Sequence, residues 1–297
     1  MSNHKRLTNI LDHSKHIPFT NYDRFVFFSD LHRGNNSWAD EFASNESIYS
    51  YALGHYYDAG FTYVEVGDGD ELLKFKYLDP IRISHEGVYK MLEKYYLEER
   101  LYYIFGNHDN DYRNPTQLRR RPARLFERSG DIPKTYFNEF KVHEGLIFDH
   151  QESGVSLFAI HGHQGDDLFH RFIWINQVLL RLIWRPLQLI GFRDPTSVAQ
   201  HFYKRQKVEK ALKSWSADHK QPMICGHTHK ARFPKDGKIP YFNDGSCVHP
   251  RWITCIEILN GTIALIRWQI KPNKKGQLVV KRKVLKGPKP ISSFAQF

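Results

Sequence analysis

RFVFFSDLHRG, from Arg24 to Gly34, decides the fold. Its apolar run stops at Ser29 and Asp30, the pattern of a short strand buried on both faces that ends in a polar loop. A helical stretch from Glu46, ESIYSYALGHYYDAG, stops at Gly60. TYVEVGD (Thr62 to Asp68) repeats the strand, a second helical pattern covers Ser84 to Glu99, and LYYIFGNHD (Leu101 to Asp109) repeats it again. Strands alternating with helices predict βαβ units and an α/β core.

Further along, LIFDH, the turn ESG and VSLFAIHGH predict a hairpin from Leu146 to His163. A long helical segment follows from about Asp167 to Ser214. PMICGHTH (Pro222 to His229) and PYFNDGS (Pro240 to Ser246) read as strands, and WITCIEIL and TIALIRWQI flank Asn260-Gly261, a hairpin turn pair.

The polar residues fall where the strands stop. Asp30 and His32 follow the first, Asp68 the second, Asn107 and His108 the third, His161 and His163 the hairpin, and His227 and His229 a later strand. Loops at strand ends of α/β sheets are held rigidly at one edge and commonly carry active sites. Two close cations need several donors and one shared ligand, and a carboxylate such as Asp68 can bridge. In an extended segment, D-x-H and H-x-H put both side chains on one face. Nitrogen and oxygen donors without thiolate suit Mn, Fe or Zn, with Co in the same class.

SDLH, GDGDE, GNHD, HGH and GHTH, in that order and followed by Gly245-Ser246, resemble the motifs of the calcineurin-like metallophosphoesterase superfamily over roughly Phe25 to Ser246. The resemblance implies an α/β fold, a four-layer αββα sandwich with a helical insertion. It implies Asp30, His32 and His229 on one metal, Asn107, His161 and His227 on a second, and Asp68 bridging two divalent ions. It further implies hydrolysis of a phosphoester or pyrophosphate by a metal-bridging hydroxide, with His108 stabilising phosphoryl oxygens or protonating the leaving group. His163 reads as facing substrate or supporting a ligand. Asp70 and Glu71 read equally as supports of a ligand or as caps of a following helix, Cys225 as core and His55 as structural.

Protein phosphatases of this superfamily carry GDxHG and GNHE, where this chain has SDLHRG and GNHD. SDLH with a long insertion between HGH and GHTH is similar to bacterial UDP-2,3-diacylglucosamine hydrolases, which cut a pyrophosphate and hold acyl chains in a helical cap. Those enzymes usually carry Arg where His108 stands.

Phe172 to Phe192 is the most apolar stretch, yet Arg181, Arg185 and Pro186 interrupt it, so it should not span a bilayer. Within 168–190 the broad apolar face, with Trp174 and Trp184, suits an anionic membrane surface or an acyl-chain tunnel ahead of simple packing. Arg119, Arg120 and Arg124, in RNPTQLRRRPARLFER, suit substrate phosphate, or else a solvated helix face. The net charge of +11 admits a phosphorylated substrate, anionic lipid or nucleic acid.

Three cysteines, an odd number, do not suggest a disulfide framework, and the polar N-terminus lacks the apolar core of a signal peptide, so a cytoplasmic protein is expected. The expected organisation is a catalytic domain over 20–270 that includes an insertion at 165–220, and a loosely ordered basic tail over 271–297. The leading substrate is lipid-linked or a nucleotide diphosphate. The alternatives are a nuclease or nucleotide phosphodiesterase, and a non-catalytic scaffold. Oligomeric state is not readable.

Overall fold

The strand read at Arg24 is there, and it sits mid-sheet. The computed structural model describes residues 3–113, 141–166 and 202–295. In chain order these form α1 (Asn3–Asp12), β1 (Lys15–Phe19), β2 (Phe25–Phe28), α2 (Glu46–Asp58), β3 (Thr62–Val66), α3 (Leu78–Ser84), α4 (Glu86–Leu97), β4 (Leu101–Ile104) and β5 (Val142–His143). Then come β6 (Gly145–His150), β7 (Val155–Ile160), α5 (Phe202–Asp218), β8 (Met223–Cys225), β9 (Tyr241–Asn243), β10 (Trp252–Leu259), β11 (Thr262–Pro272) and β12 (Leu278–Pro290).

Seven strands pair in the order β12-β11-β10-β2-β3-β4-β5, and five in the order β1-β6-β7-β8-β9. β2, β3 and β4 run parallel, so their C-terminal ends share one edge. Burial on both faces explains their largely apolar character, which Glu65 interrupts in β3. Phe27, Val64, Ile104 and Ile256 meet Phe148, Leu157 and Ile224 between the two sheets. Outside the larger sheet, Phe28, Tyr63 and Ile266 pack on Tyr49, Leu53, Leu92 and Tyr95 of α2 and α4. Outside the smaller one, Phe158 and Ile160 pack on Leu7, Ile10, Leu212 and Trp215 of α1 and α5. The architecture is the expected four-layer αββα sandwich.

The sheets reach past 20–270 at both ends. Only Leu7 and Ile10 of α1 are buried, and β1 buries only Ile17 and Phe19, too little periodicity to be read. Of the stretch expected as a loose tail, residues 271–295 are described and are ordered. β12 pairs with β11 from Pro272↔Leu278 to Thr262↔Pro290, and Ile291 and Phe294 close one end of the core between the sheets. The lysines that suggested disorder point outward from a paired backbone, which needs no apolar side chains to be ordered. Of the helical segment predicted from Asp167 to Ser214, residues from Phe202 are helical and 167–201 lie outside the described residues. Asn260 and Gly261 both take left-handed φ, 51° and 64°, as their two-residue hairpin turn requires.

Behind the first metal-type loop, His85 is buried between α3 and α4. Its Nε2 is 2.8 Å from Asp40 Oδ2 and its Nδ1 is 3.1 Å from Glu46. Asp40 also accepts the backbone N–H groups of Asn36, Phe42 and Ala43, fixing the chain that leaves His32. Burial opposes charge on His85, but its hydrogen bond to Asp40 raises its pKa, and the same bond outweighs burial to lower that of Asp40. The His85 contribution is complete below its unfolded pKa of about 6.5 and lost as pH rises through the folded value. That of Asp40 is complete above about 3.9 and lost as pH falls. The pair therefore stabilises most between about pH 4 and 6.5. His85→Gln is expected to narrow the difference in urea midpoint between pH 5.5 and pH 9; an unaltered difference from the parent would show that the pair does not titrate with folding.

Candidate metal centre

The loops after β2 and β3 continue their parallel pairing beyond the strands. Asp30 N–H donates to Gly67 O, His32 N–H to Asp68 O, Arg33 N–H to Gly69 O, and Glu71 N–H to Arg33 O, at 2.9 to 3.1 Å. This rigid zipper aligns SDLH with GDGDE. Left-handed backbone then turns the side chains: Asp30 (φ 52°), His32 (52°), Asp68 (55°), His227 (66°) and His229 (51°) all lie in the region that favours glycine. Non-glycine residues enter it at a cost that surrounding structure must offset, and they concentrate at functional sites. The extended D-x-H and H-x-H geometry expected from sequence is thus corrected. Asp30 and His32, and likewise His227 and His229, reach the ligand groups from turned loops.

Glycines allow the close approach. A Cβ on Gly106 would stand 2.1 Å from Asp68 Oδ1, and one on Gly67 would stand 2.6 Å from His161 Nδ1.

Two groups of ligand atoms result, Asp30/His32/His229 and Asp68/His161/His227. Asp30 Oδ1 is 3.0 Å from His229 Nε2 and 3.8 Å from His32 Nε2. Asp68 Oδ2 is 3.1 Å from His161 Nε2 and 3.9 Å from His32 Nε2, so it reaches both groups. His32 and His229 bring their Nε2 atoms within 3.2 Å of one another. A single cation with bonds of about 2.0–2.1 Å to each nitrogen accounts for that spacing.

The polar atoms there lack partners. Asp30 Oδ1, Asn107 Oδ1, His161 Nε2 and His227 Nε2 are buried with no hydrogen bond. The charged neighbours of Asp30 Oδ1 and His161 Nε2 are close without being aligned for one. A buried, unbonded donor or acceptor costs about 1–3 kcal/mol, so four together point to bound cations. The opposite ring nitrogens are occupied: His161 Nδ1 donates to Val66 O at 2.8 Å and His32 Nδ1 to Glu71 Oε2 at 3.0 Å. Such bonds orient an imidazole so that Nε2 meets a metal.

The electrostatics agree. Burial with the nearby charge of His161 depresses the His227 pKa to about 3, leaving a neutral donor. Burial opposes charge on His161, yet Asp68 lifts it to about 9. Burial also raises the carboxyl of Asp30, but His229 outweighs it and holds the group well below the carboxylate range. In the metal-free chain, imidazole protons supply the positive charge that these carboxylates require, and cations displace such protons on binding.

A third group, His32/Glu71/His108, supports the first two. Glu71 binds both His32 Nδ1 and His108 Nδ1, the latter at 2.8 Å. Glu71 thus holds ligand-side imidazoles and also accepts Lys74 N–H at 3.2 Å, capping the short turn that follows it. Asp70 instead accepts from Arg33 Nε at 2.7 Å and from the hydroxyls of Tyr89 and Tyr112.

Residues 23–231 match the calcineurin-like phosphoesterase family. The chain belongs to that family. It is therefore a metal-dependent phosphoester hydrolase. Solved structures to which this chain is similar include vacuolar protein sorting 29 from Cryptosporidium parvum, with 13% identity over 89% of this chain and 98% of that one and a TM-score of 0.40. Vps29 from Chaetomium thermophilum has 10% identity over 91% and 99% of the two chains, TM-score 0.42. A putative 5'-nucleotidase from Staphylococcus aureus has 13% identity over 88% of this chain and 53% of that one, TM-score 0.37. Among curated proteins none matches.

The phosphoesterase has supporting residues that its motifs contain but do not reveal. Asp109, the last residue of GNHD, accepts from Gly106 N–H (2.5 Å), Gly69 N–H (2.8 Å) and Tyr103 (2.9 Å), tying two ligand loops together. Burial and the charge of Asp68 push its pKa to about 7. Ser29 Oγ lies 2.5 Å from Asp30 Oδ2 and 2.6 Å from Asp244 Oδ1. A hydroxyl has one proton, so one bond runs the other way: Asp244, raised well above its ordinary value by burial and by Asp30, donates to Ser29. His163, expected to face substrate or support a ligand, is 3% exposed, its ring 5.5 Å from that of His161 and 6.4 Å from that of His227. Arg119, Arg120 and Arg124 lie outside the described residues, as does the 168–190 stretch. Among the described residues no helix is long and apolar enough to cross a membrane.

Proposed function

We propose that Asp30, His32 and His229 hold one divalent cation, Asn107, His161 and His227 a second, and Asp68 both, for hydrolysis of a phosphoester or pyrophosphate bond. The quartet of buried, unbonded ligand atoms carries this reading. When bound, such a metal pair activates water as a nucleophile and offsets phosphoryl charge. Manganese suits the donor set, as do iron, zinc and cobalt.

The chain's own residues supply orientation and a proton. Asp68 Oδ1 accepts His108 N–H at 2.8 Å, which fixes the carboxylate and leaves Oδ2 toward both ligand groups. His108 keeps Nδ1 on Glu71, so Nε2 is its free edge, and the side chain is 22% exposed. Glu71 thus fixes the orientation of a ring that can serve as general acid toward a leaving oxygen.

For substrate we propose a lipid-linked or nucleotide diphosphate, as in UDP-2,3-diacylglucosamine hydrolase-like enzymes, with peripheral membrane contact. The SDLH motif, the apolar 168–190 stretch and the net charge of +11 support it. A nuclease or nucleotide phosphodiesterase is the second reading, favoured by β12, whose exposed face carries Lys281, Lys283 and Lys286 without an acid.

Chelator-stripped protein should be inactive, and Mn²⁺ should restore turnover of bis(4-nitrophenyl) phosphate and, more efficiently with liposomes, of a lipid-linked diphosphate. Turnover that survives chelation would sink the metal centre. Equal rates with and without liposomes, and no liposome binding, would sink the lipid-linked substrate.

A further inference from the structure

The edge that carries the metal-type loops continues into a second cluster of cations. β10 runs antiparallel to β2, with Ile256 opposite Phe27, so its first residues come level with Ser29 and Asp30. Cys247 N–H donates to Asp30 O at 3.1 Å, and Ser246 N–H to Thr254 Oγ1 at 3.3 Å. Moving outward, Arg267 stands opposite Thr254 and Lys283 opposite Arg267, while Gln269 stands opposite Trp252 and Lys281 opposite Gln269. Directly opposed residues share a face, so Trp252, Arg267, Lys281 and Lys283 lie together.

This corner is built around a ring stack. The Arg267 guanidinium lies 4.3 Å from the Trp252 ring centre, and His249 stacks on the same ring at 3.4 Å with 19° between planes. Asn45 Nδ2 fixes the intervening loop by donating to Cys247 O (2.8 Å) and His249 O (2.7 Å).

Arg267 is partly buried, and Nε of Arg267 and Nδ1 of His249 are buried with no hydrogen bond. From Thr262 to Phe297 the sequence contains no acid. Glu257, in β10, is paired with Arg282 on the opposite face. Among the described residues no carboxylate is paired with this guanidinium, and the planar donors of such a group suit phosphate.

We propose that Arg267, with Lys283 beside it, binds a second phosphate of the substrate, beyond the one that is cut. The proposal rests on the hydrolase reading above. Two strand spacings separate β11 from β2, about 10 Å, a span that an extended phosphorylated leaving group covers. The stack on Trp252 fixes the guanidinium before substrate arrives, and the lysines add charge at the rim.

The test uses the full chain stripped of metal, so that the metal loops cannot bind the probe through cations. Calorimetric titration with inorganic pyrophosphate should give saturable, salt-sensitive binding. Arg267→Ala should weaken it about ten-fold, the loss of a charge-assisted contact. Lys283→Ala, on the exposed rim, should weaken it less and serves if Arg267→Ala does not fold; Lys275→Ala, in the turn before β12, should leave it unchanged. Displacement of pyrophosphate by uridine diphosphate assigns the phosphate to a nucleotide, and displacement by phosphatidic acid vesicles assigns it to a lipid headgroup. Absence of binding, displacement by neither, or equal binding by the parent and both site variants would overturn the proposal. Failure of the hydrolase reading is seen separately, as no Mn²⁺-dependent turnover of bis(4-nitrophenyl) phosphate.

Discussion

Asp68→Ala is expected to lower kcat on bis(4-nitrophenyl) phosphate by on the order of a thousand-fold and to reduce the metal bound per chain, without unfolding the protein. The size follows from position. Asp68 Oδ2 lies 3.1 Å from His161 Nε2 and 3.9 Å from His32 Nε2, so one side chain serves both ligand groups. Its other oxygen takes His108 N–H, and its carbonyl takes His32 N–H. Alanine removes the carboxylate proposed to serve both cations but keeps the carbonyl that helps zip the two loops together. Asp68→Asn keeps the shape and an acceptor oxygen while removing the charge, and should restore little activity. Turnover in either variant within a few fold of the parent would remove Asp68 from the bridging role. Metal content by elemental analysis, with circular dichroism as the folding control, separates loss of the site from loss of the fold.

Arg33→Ala should destabilise the fold by about 3–5 kcal/mol, the usual cost of stripping one partner from a buried ion network. Arg33 is fully buried and donates to Asp70 Oδ1 at 2.7 Å and to Glu65 Oε1 at 2.5 Å. Tyr63 donates to Glu65, and Tyr89 and Tyr112 to Asp70, so hydroxyls satisfy the remaining lone pairs. Without the guanidinium two carboxylates stay buried and unneutralised. Burial already raises the Glu65 pKa, with the charge of Asp70 adding to it, although Arg33 opposes both. In the variant the folded state should therefore hold more protons than the unfolded chain. Stability then falls as pH rises, so the deficit relative to the parent should be smaller at pH 5 than at pH 8. Urea unfolding at the two values measures it. A deficit below about 1 kcal/mol, or one independent of pH, would show that the network does not depend on Arg33.

Much of the sandwich is legible in the chain because its central strands are apolar on both faces and stop at polar residues. FVFF before Ser29-Asp30 and TYVEV before Gly67-Asp68 declare both the strand and the loop it ends in. The turn at Asn260-Gly261 is equally local. What is not legible depends on partners distant in sequence. β12 looks like a charged tail until β11 pairs with it, and β1 depends on β6 for its register. The burial of Arg33 is not legible because Glu65 and Asp70 lie more than thirty residues away, and nothing local predicts it. The turned backbone at Asp30, His32, His227 and His229 is likewise hidden, since residue type alone favours neither left-handed φ nor the extended geometry expected there. Asp244 could have been suspected from its place beside Gly245-Ser246, but its proton-sharing with Ser29 needs the two sheets to meet.

The most direct test is anomalous diffraction at the manganese edge from crystals of the full chain grown with Mn²⁺. Two peaks are expected, one among Asp30, His32 and His229 and the other among Asn107, His161 and His227, with Asp68 in contact with both. A single peak that Asp68 does not touch, or no peak among these side chains, would contradict the account.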